Sequence, residues 1–123
     1  MKIIINNTSM VPIYEQIVDQ IKKFICTGEL QENDQLPSVR TLSKELKISA
    51  LTVKKAYDNL EVEGFTITVH GKGTYVNAIN PELLLEEQKK ELEADLEKAI
   101  LKGRRCGISD EDIRNLFELI LEG

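Results

Sequence analysis

Residues 36–76 read LPSVRTLSKELKISALTVKKAYDNLEVEGFTITVHGKGTYV, and this stretch decides the fold. Ser38 is suited to cap a helix in which Val39, Leu42 and Leu46 recur at helical spacing and face inward. Lys47 and Ile48 make a turn. Ser49 caps a second helix with Thr52 at its third position, Val53, Ala56, Tyr57 and Leu60 as its buried stripe, and Gly64 at its end. Residues 65–69 and 74–76 are rich in β-branched side chains and flank His70-Gly71-Lys72-Gly73, which is a hairpin signature. A helix-turn-helix followed by a glycine-tipped hairpin suits duplex DNA: one helix enters the major groove and the tip reaches the flanking backbone.

On the N-terminal side, residues 2–5 predict a short strand. Pro12 fits a first helical turn, where its missing N–H costs nothing. Ile13, Ile17, Ile21, Phe24 and Ile25 then form the apolar face of a helix closed by Gly28, and residues 29–37 have no periodicity and read as a surface loop.

After Asn80-Pro81 the texture changes. Residues 82–102 predict a charged helix with Leu85, Leu92, Leu96, Ala99 and Ile100 on one side, and Gly103 and Gly107 bracket a break. Ser109-Asp110-Glu111-Asp112 is a capped helix start, with carboxylates near the positive end of the helix dipole. Ile113, Leu116, Phe117, Ile120 and Leu121 make the apolar face that follows. Two helices of about forty residues are too few to bury an independent core, so their apolar faces need a partner, most simply a second copy. The expected dimerisation residues are Leu85, Leu92, Leu96, Ile100, Ile113, Leu116, Phe117 and Ile120. Leu92, Leu96, Phe117 and Ile120 could instead enclose a small apolar ligand site, but packing of a dimer core is the simpler reading, and no effector is legible. The fold class is therefore mostly α with a small β-wing. A winged helix-turn-helix domain over residues 1–78 precedes a two-helix dimerisation segment over residues 79–123.

The net charge of -5 argues at first against a nucleic-acid partner, but the charge is unevenly spread. Residues 1–78 hold nine Lys/Arg and nine Asp/Glu, whereas residues 79–123 hold seven against twelve. Within residues 36–57, Arg40, Lys44, Lys47, Lys54 and Lys55 face Glu45 alone, a local excess of +4. Local field decides where phosphates dock. No apolar run approaches the roughly 18 residues of a membrane span, and the N-terminus lacks the apolar stretch of a signal peptide. A cytoplasmic protein that does not engage a membrane is expected. Cys26 and Cys106 stand in no metal or redox motif and read as reduced thiols.

The exposed N-terminal part of the second helix of the motif supplies Ser49, Ala50, Leu51, Thr52, Lys54 and Lys55 as candidate DNA contacts. Hydroxyls can donate to phosphate or base, lysines neutralise phosphate, and Ala50 and Leu51 can touch only a thymine methyl, which favours A/T opposite them. Arg40 lies early in the first helix, within reach of a phosphate, and His70, Gly71 and Lys72 form the tip, placed for backbone or minor groove.

The order of these segments resembles the winged helix-turn-helix of the GntR family of bacterial regulators. The carrying strings are PIYEQIVDQIKKFICTGEL, DQLPSVRTLSKELKISALTVKKAYDNLEVEGF and HGKGTYV, which span residues 12–76. The resemblance implies DNA contacts at Arg40, Ser49, Thr52, Lys54, His70 and Gly71. Many relatives carry Arg where this chain has Ala50, and Arg is frequent where Lys54 stands. Loss of the bidentate guanidinium fork weakens guanine recognition there. Most GntR relatives add a large effector domain. The short two-helix tail here resembles the YtrA-like subfamily of homodimeric repressors, often of transporter operons. The expected partners are operator DNA with an inverted repeat and a second copy of the chain.

Two other readings stand beside this one. Some GntR relatives fuse the winged helix to a pyridoxal-phosphate aminotransferase-like domain, which needs several hundred residues. With one His in the chain, no nucleophile–His–carboxylate set and no phosphate-cradling loop, neither enzymatic activity nor a cofactor or metal is expected. The alternative is a winged-helix protein-interaction module without sequence-specific DNA binding. Salt separates the two, because phosphate binding weakens steeply as salt rises.

Overall fold

A computed structural model describes residues 1–123. The elements are α1 (Ile13–Cys26), α2 (Val39–Leu46), α3 (Ala50–Val62), β1 (Thr66–Val69), β2 (Gly73–Val76), α4 (Pro81–Arg105) and α5 (Asp110–Glu122). They form two compact units, Met1–Leu84 and Leu85–Gly123.

In the first unit α3 packs against both α1 and α2. Ile17, Ile21, Val53, Ala56, Leu60 and Phe65 are completely excluded from solvent and form the centre of the core. Each large apolar side chain buried this way contributes about 1.5–3 kcal/mol. The i, i+4, i+8 spacing of Ile17, Ile21 and Ile25 places all three on one face of α1, and Val18, absent from the sequence reading, is buried beside them. In α2 only Leu42 of the expected apolar set is buried; Val39 and Leu46 are half-buried at its two ends. Pro12 precedes α1 as its cap rather than lying in its first turn, with its carbonyl accepting from the Gln16 N–H at 3.1 Å.

Residues 2–5 form no strand, which corrects the sequence expectation. Their backbone partners are side chains of α1. The Ile4 N–H donates to Gln20 Oε1 at 2.9 Å and Gln20 Nε2 donates back to the Ile4 carbonyl at 2.8 Å. Gln16 serves Asn6 in the same two-way manner. These amides replace a neighbouring strand and seat Ile3 in the core.

The β-hairpin is antiparallel, with Thr66 opposite Val76 at its base and Val69 opposite Gly73 near its tip. Residues 29–37 are more than a surface loop. Asn33 N–H donates to Val76 O at 2.9 Å, Val76 N–H to Asp34 O at 2.8 Å, and Leu36 N–H to Thr74 O at 2.8 Å. The segment before α2 thus lines β2 as an irregular third strand, and Leu30 and Leu36 enter the core. Aperiodic sequence concealed this, because the partner strand is some forty residues downstream in a span that shows no alternation of its own.

In the second unit α4 and α5 form a helical pair. Gly103 lies inside α4 instead of flanking the break, where a Cβ would stand 3.0 Å from Ile113 Cδ1. A small residue is needed for that approach, and Gly107, with φ of 79°, makes the turn on its own. Ser109 caps α5 by accepting from the Asp112 N–H. No residue of α5 is buried. No helix in the chain is long and apolar enough to cross a membrane.

Candidate nucleic-acid interface

The turn between α2 and α3 is set by Lys47, which closes α2 in the left-handed region at φ 57° and ψ 47°. The Ile48 N–H returns to the Ser43 carbonyl at 3.0 Å, and Ser49 then caps α3 by accepting from the Leu51 N–H at 3.1 Å. The Ser49 oxygen is thereby committed within the chain, and its proton is left for an outside acceptor. With the α3 stripe of Val53, Ala56, Tyr57 and Leu60 buried, the opposite face is Leu51, Lys54, Lys55 and Asp58, all exposed. Leu51 is 77% exposed.

Both lysines on this face have partners within the chain. Lys54 Nζ lies 2.9 Å from Asp58 Oδ2, one helical turn on, and Lys55 Nζ sits 4.0 Å above the Tyr14 ring of α1. Tyr14 and Asp58 were not identified from sequence. Asp58 could have been found from the i, i+4 spacing to Lys54 on a solvent face, but Tyr14 is brought to Lys55 only by the crossing of α1 and α3. Ala50 is exposed at the first turn of α3 and Thr52 is half-buried. Arg40 is exposed at the second position of α2, a helix held by Ser38, whose Oγ accepts from the Thr41 N–H.

His70, Gly71 and Lys72 are exposed at the hairpin tip. The Lys72 N–H donates to Val69 O at 2.9 Å to close the turn, and Gly71 takes φ of 77°. Two side-chain hydrogen bonds also tie the wing strands to neighbouring segments. Gln35 Nε2 donates to the Lys72 carbonyl at 3.2 Å, and the Thr68 N–H donates to Glu61 Oε1 of α3 at 3.1 Å. Across the hairpin the Thr68 and Thr74 hydroxyls meet at 3.1 Å. Near the start of α2, burial, followed by the Glu45 carboxylate, pushes the Tyr57 phenol above its ordinary range.

In the second unit Leu85, Leu92, Leu96, Leu116 and Ile120 are exposed, while Ile100, Ile113 and Phe117 are half-buried between α4 and α5. Arg104 grips Asp110 through Nε and Nη2 at 3.0 and 3.2 Å, which holds the carboxyl below its ordinary value. Beside this clamp runs an apolar groove of about 270 Å³ lined by Ala99, Gly103, Ile113, Leu116, Phe117 and Ile120, among others.

Residues 13–76 match the family model described as "Bacterial regulatory proteins, gntR family". The chain is 35% identical over 118 residues to the HTH-type transcriptional repressor YtrA of Bacillus subtilis (strain 168), covering 96% of this chain and 88% of that protein. Its fold is similar to that of a transcriptional regulator from Oenococcus oeni, with a TM-score of 0.71 and 37% identity over 95% of this chain and 97% of that one. It is also similar to AraR(DBD) in complex with operator ORX1, with a TM-score of 0.55 and 25% identity over 62% of this chain and 95% of that one. These relatives are transcription regulators and not enzymes. The chain belongs to the gntR family of bacterial regulatory proteins, with YtrA among its relatives, and its first unit is the family's DNA-binding winged helix-turn-helix.

Proposed function

We propose that the protein is a cytoplasmic homodimeric transcription repressor that binds an inverted-repeat operator, with the α3 of each copy reading one half-site. The observation that carries this reading is the presence of two exposed surfaces in one chain, one basic and one apolar. The outer face of α3 and the wing tip expose Lys54, Lys55, His70 and Lys72, while α4 and α5 leave Leu92, Leu96, Leu116 and Ile120 in solvent. The first surface suits phosphate and base edges, and the second needs an apolar partner that a second copy supplies. Arg40, Ser49, Ala50, Leu51, Thr52, Gly71 and the lysines form the DNA contact set in this reading, with residues 1–78 as the DNA-binding domain and residues 79–123 as the dimerisation segment.

The test is selection of genomic fragments bound by the purified protein at two salt concentrations, alongside sedimentation. A dimer and a recovered inverted repeat are expected. The position of that repeat identifies the regulated operon, for which the YtrA resemblance points to transport genes. The double variant Leu92→Asp/Ile120→Asp is expected to sediment as a monomer and to lose the two-half-site advantage while retaining single half-site binding. A wild-type monomer in the presence of DNA, or binding that is indifferent to sequence, would overturn the proposal.

A further inference from the structure

Asp58 is a carboxylate on the exposed face of α3, within the unit that matches the family's DNA-binding domain. It lies in register with Leu51, Lys54 and Lys55 at i, i+3, i+4 and i+7, the spacing that lays four side chains along one line of a helix. Its contribution to folding is small. The Lys54–Asp58 pair is exposed on both sides, at 62% and 58%, and Lys preceding Asp is the weaker order for a helical ion pair. Aspartate is also a poor former of helix interiors. Toward DNA, a negative charge here opposes phosphate neutralisation, which supplies nearly all non-specific affinity.

The pair presents one donor and one acceptor 2.9 Å apart on the exposed face of the helix. A G·C base pair displays the complement on its major-groove edge, with guanine O6 and N7 as acceptors and the cytosine N4 amino group as donor. We infer that Asp58 is a specificity-determining residue: it accepts from the amino group of a cytosine while Lys54 donates to the guanine of the same pair, and its charge disfavours complexes built on phosphate alone. Lys55, held over Tyr14 instead of a carboxylate, stays the phosphate lysine of this face. The inference rests on the reading of α3 as the base-contacting helix.

The experiment is selection from a randomised duplex library with the full-length wild type, Asp58→Ala and Asp58→Asn, followed by affinities for the recovered site and a scrambled duplex of equal length. The wild-type consensus is expected to carry one G·C pair per half-site that Asp58→Ala no longer requires. Both variants should bind the scrambled duplex more tightly, and the ratio of site to scrambled affinity should fall about tenfold. A merely structural Asp58 would weaken both duplexes alike and leave consensus and ratio unchanged, which would overturn the inference while the repressor reading stands. A wild type that selects no consensus would overturn both.

Discussion

The phenolic hydroxyl of Tyr57 in α3 donates to the carbonyl oxygen of Pro37 at 2.7 Å. Pro37 follows Leu36, whose N–H is bonded to Thr74 of the wing, and precedes Ser38, the cap of α2. One part-buried hydrogen bond therefore fixes α3 to the junction at which the wing and α2 meet. The relative placement of Arg40, Leu51 and the hairpin tip depends on that junction.

Tyr57→Phe removes the donor and leaves the Pro37 carbonyl unpaired beside an apolar ring. The expected cost is about 1–2 kcal/mol, read as a lower urea midpoint with an unchanged slope. The pH dependence follows from the raised pKa of the phenol. Its stabilising contribution is complete below the ordinary value of 10.0 and declines as pH rises from there toward the folded value, because the unfolded chain ionises first. The difference in stability between wild type and Tyr57→Phe should therefore shrink above pH 10 and be constant below it.

Thr66→Val is expected to stabilise the fold. Thr66 is 2% exposed, and its Oγ1 has no hydrogen-bond partner. A methyl group in place of a buried, unsatisfied hydroxyl should raise stability by about 1 kcal/mol, visible as a higher melting temperature.

The two glycines at the wing tip should respond differently to alanine. Gly73 has φ of 131°, and a Cβ there would stand 2.7 Å from Gln35 Nε2. Gly73→Ala therefore displaces the side chain that bonds the Lys72 carbonyl and strains the backbone as well. A loss of about 1–3 kcal/mol is expected, together with weaker DNA binding. Gly71, at φ of 77°, has nothing within 4 Å of its Cβ position, so Gly71→Ala should cost about 1 kcal/mol from backbone preference alone. Equal melting-temperature losses for the two variants would contradict this account.

Local chemistry determined much of this protein from sequence alone. Ser38, Ser49 and Ser109 cap the helices they were expected to cap, because an N-cap needs only a side-chain oxygen and the N–H two or three residues on. The buried stripe Val53, Ala56, Tyr57 and Leu60 follows from helical period, and the hairpin from β-branched runs around two glycines. The basic, exposed face of α3 is the solvent side of that same period. Tertiary structure alone decided what depends on residues distant in sequence. Gln16 and Gln20 occupy the N-terminal arm where a strand was expected, residues 33–36 pair with β2 across a loop, and Gly103 stays helical against Ile113. Lys55 meets Tyr14 only where α1 and α3 pack together, and Tyr57 meets Pro37 only where α3 packs against the start of α2. Periodicity reports which face of an element is apolar. Which polar group completes a given backbone or ammonium depends on packing geometry, and no local pattern encodes it.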